Sequence, residues 1–101
     1  MAAMDRDRVI ETLRKHEGEL HAAGIVHLSL FGSVARGEAS RSSDIDLIAD
    51  FDPSKRVTLV TLGSLQRRLT KILGREVDLS SASWMREPVR SKAKREAVLA
   101  F

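Results

Sequence analysis

Two aspartates, Asp44 and Asp46, stand with a single isoleucine between them in the otherwise apolar stretch DIDLIADF (44–51). In an extended strand, side chains at i and i+2 point the same way. The two carboxylates therefore share one face, while Ile45 and Leu47 turn to the other, toward a core. Like charges that close repel and raise each other's pKa unless something neutralises them. A divalent cation does so, and an all-oxygen donor set suits Mg²⁺ rather than zinc. Mg²⁺ takes one or two protein carboxylates and completes its octahedron with water and phosphate oxygens. The competing reading is a solvated strand face, but aspartate is depleted in strands, so two at matched parity are costly as decoration.

Upstream, Gly32-Ser33 follows the apolar run IVHLSLF (25–31), and ten residues separate Ser33 from Asp44. Glycine lets the backbone turn sharply after a strand and approach a ligand without Cβ interference. A helical turn starting at Ser33 would direct free N–H groups at an anion, and the Ser33 hydroxyl adds a donor for a phosphate oxygen. Neither G-x-G-x-x-G nor a P-loop is present, so the usual dinucleotide and NTPase fingerprints are missing. A third carboxylate, Asp78, lies in EVDLS between Val77 and Leu79, with parity opposite to its apolar neighbours. Facing Asp44 and Asp46 across a sheet, it would complete a three-carboxylate, two-metal site. At a strand end facing solvent, it would do nothing of the kind.

The elements that must position these groups follow from periodicity. Val9, Ile10, Leu13 and Leu20 recur at helical spacing, predicting one amphipathic helix over about 5–23, capped by Asp5 or Asp7 and stopped at Gly24. IVHLSLF predicts a buried strand, GSVARGEASRSS a loop with a short helical turn, and DIDLIADF a second strand closed by Pro53. Leu62, Leu65, Leu69, Ile72 and Leu73 form the stripe of a helix ending at Gly74, although Gly63 weakens its first turns. A short third strand over 75–80 precedes a mostly helical segment with Pro88 at a first helical position, and the last four residues read as helix or a short edge strand. Helices and strands alternating in so short a chain imply one small sheet with helices packed on it.

Composition narrows the class. At 101 residues, the chain fits one domain spanning 1–101, and 43% hydrophobic residues supply one modest core. No apolar run reaches the ~18 to 20 residues of a membrane span, the charged start is unlike a secretory signal, and there is no cysteine for disulfides or thiolate zinc. A cytoplasmic protein with no membrane association is expected. Residues 1–53 carry six basic against ten acidic side chains, a net −4, whereas residues 54–101 carry eleven against four, a net +7. The basic half bears no interleaved aromatics beyond Trp84, so direct nucleic-acid binding is not expected. His16, His21 and His27 lack metal-ligand spacing; surface or satisfied core roles suit them, with His27 placed to line the site.

LFGSVARGEASRSSDIDLIADFD, followed by LGREVDLSS and KREAVLAF, is similar to the minimal nucleotidyltransferases (MNT) of prokaryotes, within the superfamily that includes DNA polymerase beta. The likeness runs from about residue 25 onward and is most specific in its first block. It implies an α+β, two-layer polymerase-beta-like fold: a small mixed sheet of three to four strands with helices packed on it. It implies that Gly32 and Ser33 hold a nucleoside triphosphate and that Asp44, Asp46 and Asp78 bind metal and catalyse, two Mg²⁺ ions being expected. Arg36 matches the signature and is expected near the phosphates or bracing the loop; Glu38 matches without an assigned chemistry. Members of this family commonly act as antitoxins, transferring AMP from ATP to a tyrosine of a HEPN-domain ribonuclease toxin, so a HEPN partner is expected. Two other readings stay open: an antitoxin that only docks, and a transferase acting on RNA or a small molecule.

Overall fold

The computed structural model describes residues 6–37 and 44–101. Their elements run α1 (Arg6–Lys15), α2 (Glu17–Ala22), β1 (Ile25–Phe31), α3 (Gly32–Ala35), β2 (Ile45–Phe51), α4 (Leu59–Leu73), β3 (Val77–Ser81), a 3₁₀ turn (Ala82–Trp84), α5 (Val89–Glu96) and β4 (Val98–Leu99). The sheet order is β3-β2-β1-β4. β1 pairs antiparallel with β2 and with β4, and β2 pairs parallel with β3. This is the expected α+β fold with a small mixed sheet.

Parity divides the sheet into two unequal faces. Leu28 and Leu30 of β1, Ile45 and Leu47 of β2, and Val77 and Leu79 of β3 are buried against Val9 and Leu13 of α1, Leu20 of α2, and Leu65, Leu69 and Leu73 of α4. The opposite face carries Asp46, Ile48 and Asp50 along β2. Only part of it is covered: Ile48 clusters with Ala82 and Ala93, with Phe31 and Met85 packed alongside. Lys94 of α5 reaches Asp50 at 3.1 Å. α5 thus lies across the upper part of this face and leaves the Asp46 end open.

α4 holds the free edge of β3. Gln66 Oε1 accepts the Leu79 N–H at 2.9 Å and Thr70 Oγ1 accepts the Val77 N–H at 3.2 Å. These donors would otherwise be open to strand pairing by another chain. The helix is capped by Thr58, whose hydroxyl accepts the Thr61 N–H at 3.2 Å, and it ends at Gly74 in the left-handed region. Its first turns are helical despite Gly63.

Several boundaries differ from the sequence reading. The second strand begins at Ile45, so Asp44 stands just before it, and Pro88 is the N-cap of α5 rather than its first helical residue. The helix expected over 5–23 breaks at His16, whose N–H bonds to the Leu13 carbonyl and whose Nδ1 lies 3.0 Å from the Thr12 carbonyl. A carbonyl only accepts, so Nδ1 carries the proton and occupies an oxygen that continued helix would use. The third strand begins at Val77 rather than 75 and extends to Ser81. The chain end, read as helix or edge strand, is an edge strand: Val98 and Leu99 pair with Leu30 and Ser29. Asp5 lies outside the described residues, and among these no helix is long and apolar enough to cross a membrane.

Candidate active site

The register of β2 and β3 sets the site. Asp46 and Asp78 are direct partners in the parallel pair, so they stand on the same face of adjacent strands about 4.8 Å apart. Asp44, two residues before Asp46, joins them at the mouth. On the other side, Phe31 is the direct antiparallel partner of Asp46. This neighbour was not singled out from sequence, because cross-strand register is not written in local pattern.

The electrostatics of Asp46 reflect its neighbours. Burial raises the Asp46 pKa above its ordinary 3.8, the charges of Asp78 and then Asp44 raise it further, and Arg36 pulls it back down. Asp44, Asp78 and Arg36 therefore all lie within electrostatic reach of one carboxylate.

Gly32 is required by two independent facts. Its φ is +76°, in the region that side chains with a Cβ rarely adopt, and a Cβ built there would meet Asp46 Oδ2 at 2.5 Å. The turn after β1 is thus pressed directly against Asp46 on the acidic face. Val34 and Ala35 are buried and anchor it, and no side chain caps its start at Phe31. With only four residues, α3 has little macrodipole; what it offers is the Ser33 hydroxyl and individual N–H groups. Glu38 lies outside the described residues.

The donor set fits Mg²⁺. Three carboxylates concentrate negative charge, and Asp46 is held above its ordinary pKa by burial first and by Asp78 and Asp44 next, with Arg36 offsetting part of the rise. Among the described residues, no group of three or more His, Cys, Asp or Glu side chains is placed to hold a metal ion by itself. Mg²⁺ does not require one, since it draws much of its shell from water and phosphate.

A pH dependence follows. Because the folded-state pKa of Asp46 is raised, the native protein holds this proton where the unfolded chain has released it. The group's contribution is complete below about 3.8 and is lost as pH rises through the folded pKa. Melting curves from pH 3 to 7 should show the wild-type Tm falling relative to that of Asp46→Asn across this window. Added Mg²⁺ should restore it above the window and have little effect below.

A Gly-Ser turn set against paired strand aspartates, on a small mixed sheet backed by helices, defines a nucleotidyl-transfer class of protein. A family described as nucleotidyltransferase domain matches residues 7–100, and the chain belongs to it. It is 31% identical over 99 residues to the protein adenylyltransferase MntA of Thermococcus cleftensis, covering 97% of this chain and 98% of that protein. A solved structure assigned to the minimal nucleotidyltransferases superposes with a TM-score of 0.71 at 38% identity, over 88% of this chain and 93% of that one. The complex of a tri-AMPylated HEPN toxin with its MNT antitoxin, from Shewanella oneidensis, contains a chain matching at TM-score 0.60 and 15% identity, over 87% and 71% of the two chains. That last likeness is one of fold alone.

Proposed function

We propose that this nucleotidyltransferase transfers AMP from ATP to a hydroxyl, a tyrosine's by preference, on a HEPN-domain ribonuclease toxin and so acts as its antitoxin. The observation that carries the chemistry is the pairing of Asp46 with Asp78 beneath Gly32. The near-full-length likeness to a protein adenylyltransferase supports the class of acceptor.

Asp44, Asp46 and Asp78 would hold Mg²⁺, which neutralises charge on the phosphates and orients the reacting oxygens. Gly32 lets the triphosphate approach the backbone, Ser33 donates its hydroxyl and amide to phosphate oxygens, and Arg36 balances charge at Asp46. The acceptor oxygen attacks the α-phosphorus in line, the bond to the bridging oxygen breaks, and pyrophosphate leaves. The acceptor proton passes toward Asp78, on the strand next to the metal-facing pair. Asp44 and Asp78 are exposed among the described residues, which suits a macromolecular partner that brings its own hydroxyl more than a small molecule needing enclosure.

The test is to incubate the protein with ATP, Mg²⁺ and the HEPN protein encoded beside it, then to weigh that partner by mass spectrometry. Addition of one or more AMP units is expected. Tight complex formation without any added mass would leave only the docking antitoxin; AMP incorporated into RNA or aminoglycosides instead would move the acceptor class.

A further inference from the structure

The acidic floor has a second wall, and two contacts of α5 fix which residues form it. Ala93 points down onto the sheet, packed with Ile48 and beside Phe31. Lys94 points toward the C-terminal end of β2, where it meets Asp50 at 3.1 Å. Successive helical residues are turned by about 100°. With Ala93 facing the sheet and Lys94 turned to the Asp50 side, the residue preceding Ala93 must face the other way, toward Asp46 and Asp78. That residue is Lys92. Val89 and Glu96, four before and three after Ala93, share its flank. Arg90 shares the flank of Lys94.

The reach is appropriate. Asp46 lies two residues from Ile48 along β2, about 6.6 Å at the usual rise, a span that the four-carbon stem of a lysine covers. Lys92 is exposed and, among the described residues, makes no ion pair. This holds even with Glu96 at i+4, where such pairs commonly form. Arg36 is the cation felt by Asp46. A mobile ammonium is well suited to phosphate oxygens that the Mg²⁺ held by the carboxylates would leave uncovered.

We infer that Lys92 of α5 is a nucleotide-binding residue that closes the cleft opposite the Gly32-Ser33 turn and contacts the phosphate chain of the bound nucleoside triphosphate. This rests on the nucleotidyl-transfer reading above. It gives α5 a role beyond packing: the Ala93 contact and the Lys94–Asp50 bridge hold the helix at the rotation that presents Lys92 to the site.

The experiment measures binding of a non-hydrolysable ATP analogue with Mg²⁺ by calorimetry, and separately the kcat and KM for ATP and for the protein acceptor. Lys92→Ala should weaken analogue binding and raise the ATP KM about tenfold, the scale of one charge-assisted hydrogen bond. kcat and the acceptor KM should change little, and the salt dependence of binding should become shallower. Lys92→Arg should recover most of the affinity, and Arg90→Ala, on the opposite flank, should bind as wild type. Unaltered analogue affinity in Lys92→Ala overturns the inference while the transferase reading stands. A rise in acceptor KM alone also overturns it and assigns Lys92 to the partner. Wild-type protein that binds no triphosphate removes the transferase reading itself, and this inference with it. Matching melting temperatures of Lys92→Ala and wild type exclude an effect through folding.

Discussion

Asp46→Asn is expected to lower the rate of AMP transfer about a thousandfold or more, measured in single turnover with saturating ATP, Mg²⁺ and acceptor. The substitution keeps shape and removes one charge. It replaces an anionic oxygen that would help hold Mg²⁺ with an amide, so the charge neutralisation and orientation that the metal would supply fail together. Losing one preorganised electrostatic partner in a transfer reaction typically costs 10²- to 10³-fold, about 3 to 4 kcal/mol. Asp46 is the central carboxylate, paired with Asp78 and flanked by Asp44, which places it at the top of that range. The fold should tolerate the change: the charge removed is one that burial and two neighbouring carboxylates already disfavour. Metal-free melting temperature should hold or rise, and the rise produced by Mg²⁺ should shrink. Asp44→Asn should move in the same direction. Activity within tenfold of wild type in both variants would remove these residues from the site.

The separation of catalytic cost from folding cost explains which parts of the molecule are legible from sequence. β1 reads correctly over Ile25–Phe31 because its run is apolar and bounded by glycines. α4 reads correctly because Leu65, Leu69 and Leu73 recur on one face and Gly74 ends it at φ +69°. Asp44 and Asp46, at the entry to β2 and within it, are legible as a pair because parity is local. Asp78 is legible only as a third acid of matching parity, since its adjacency to Asp46 depends on a parallel register created by the α4 crossover. The break at His16 arises from a side-chain bond to the Thr12 carbonyl, which no hydrophobic pattern reports. The role of α5 is the least legible. Five basic residues between 86 and 95 look alike in sequence, and only the contacts of Ala93 with Ile48 and of Lys94 with Asp50 turn one flank toward the carboxylates. Local pattern specifies which groups exist; long-range packing specifies which of them meet.

Gly32→Ala should separate backbone strain from damage to the site, because the chain contains its own control. Gly32 and Gly37 have nearly the same positive φ, +76° and +73°, but a Cβ at Gly37 meets none of the described residues within 4 Å. Alanine at either position incurs about 1 to 2 kcal/mol for holding a side-chain residue in the left-handed region, so both variants should lose comparable stability in denaturant titration. Only at Gly32 does the new methyl collide with Asp46 Oδ2, at 2.5 Å. The atom it meets is the end of a side chain, so the carboxylate swings aside while the sheet stays in place. A displacement near 1 Å of a reacting or metal-holding group costs on the order of 10²-fold in rate. Gly32→Ala should therefore lose about a hundredfold in transfer while Gly37→Ala stays within a few-fold of wild type. The collision also predicts strong coupling. In an Asp46→Asn background, the carboxylate is already gone, and adding Gly32→Ala should lower the residual rate by far less than a further hundredfold. Equal activity losses at the two glycines would mean that the turn acts through folding alone and that the Gly32–Asp46 contact has no part in the chemistry.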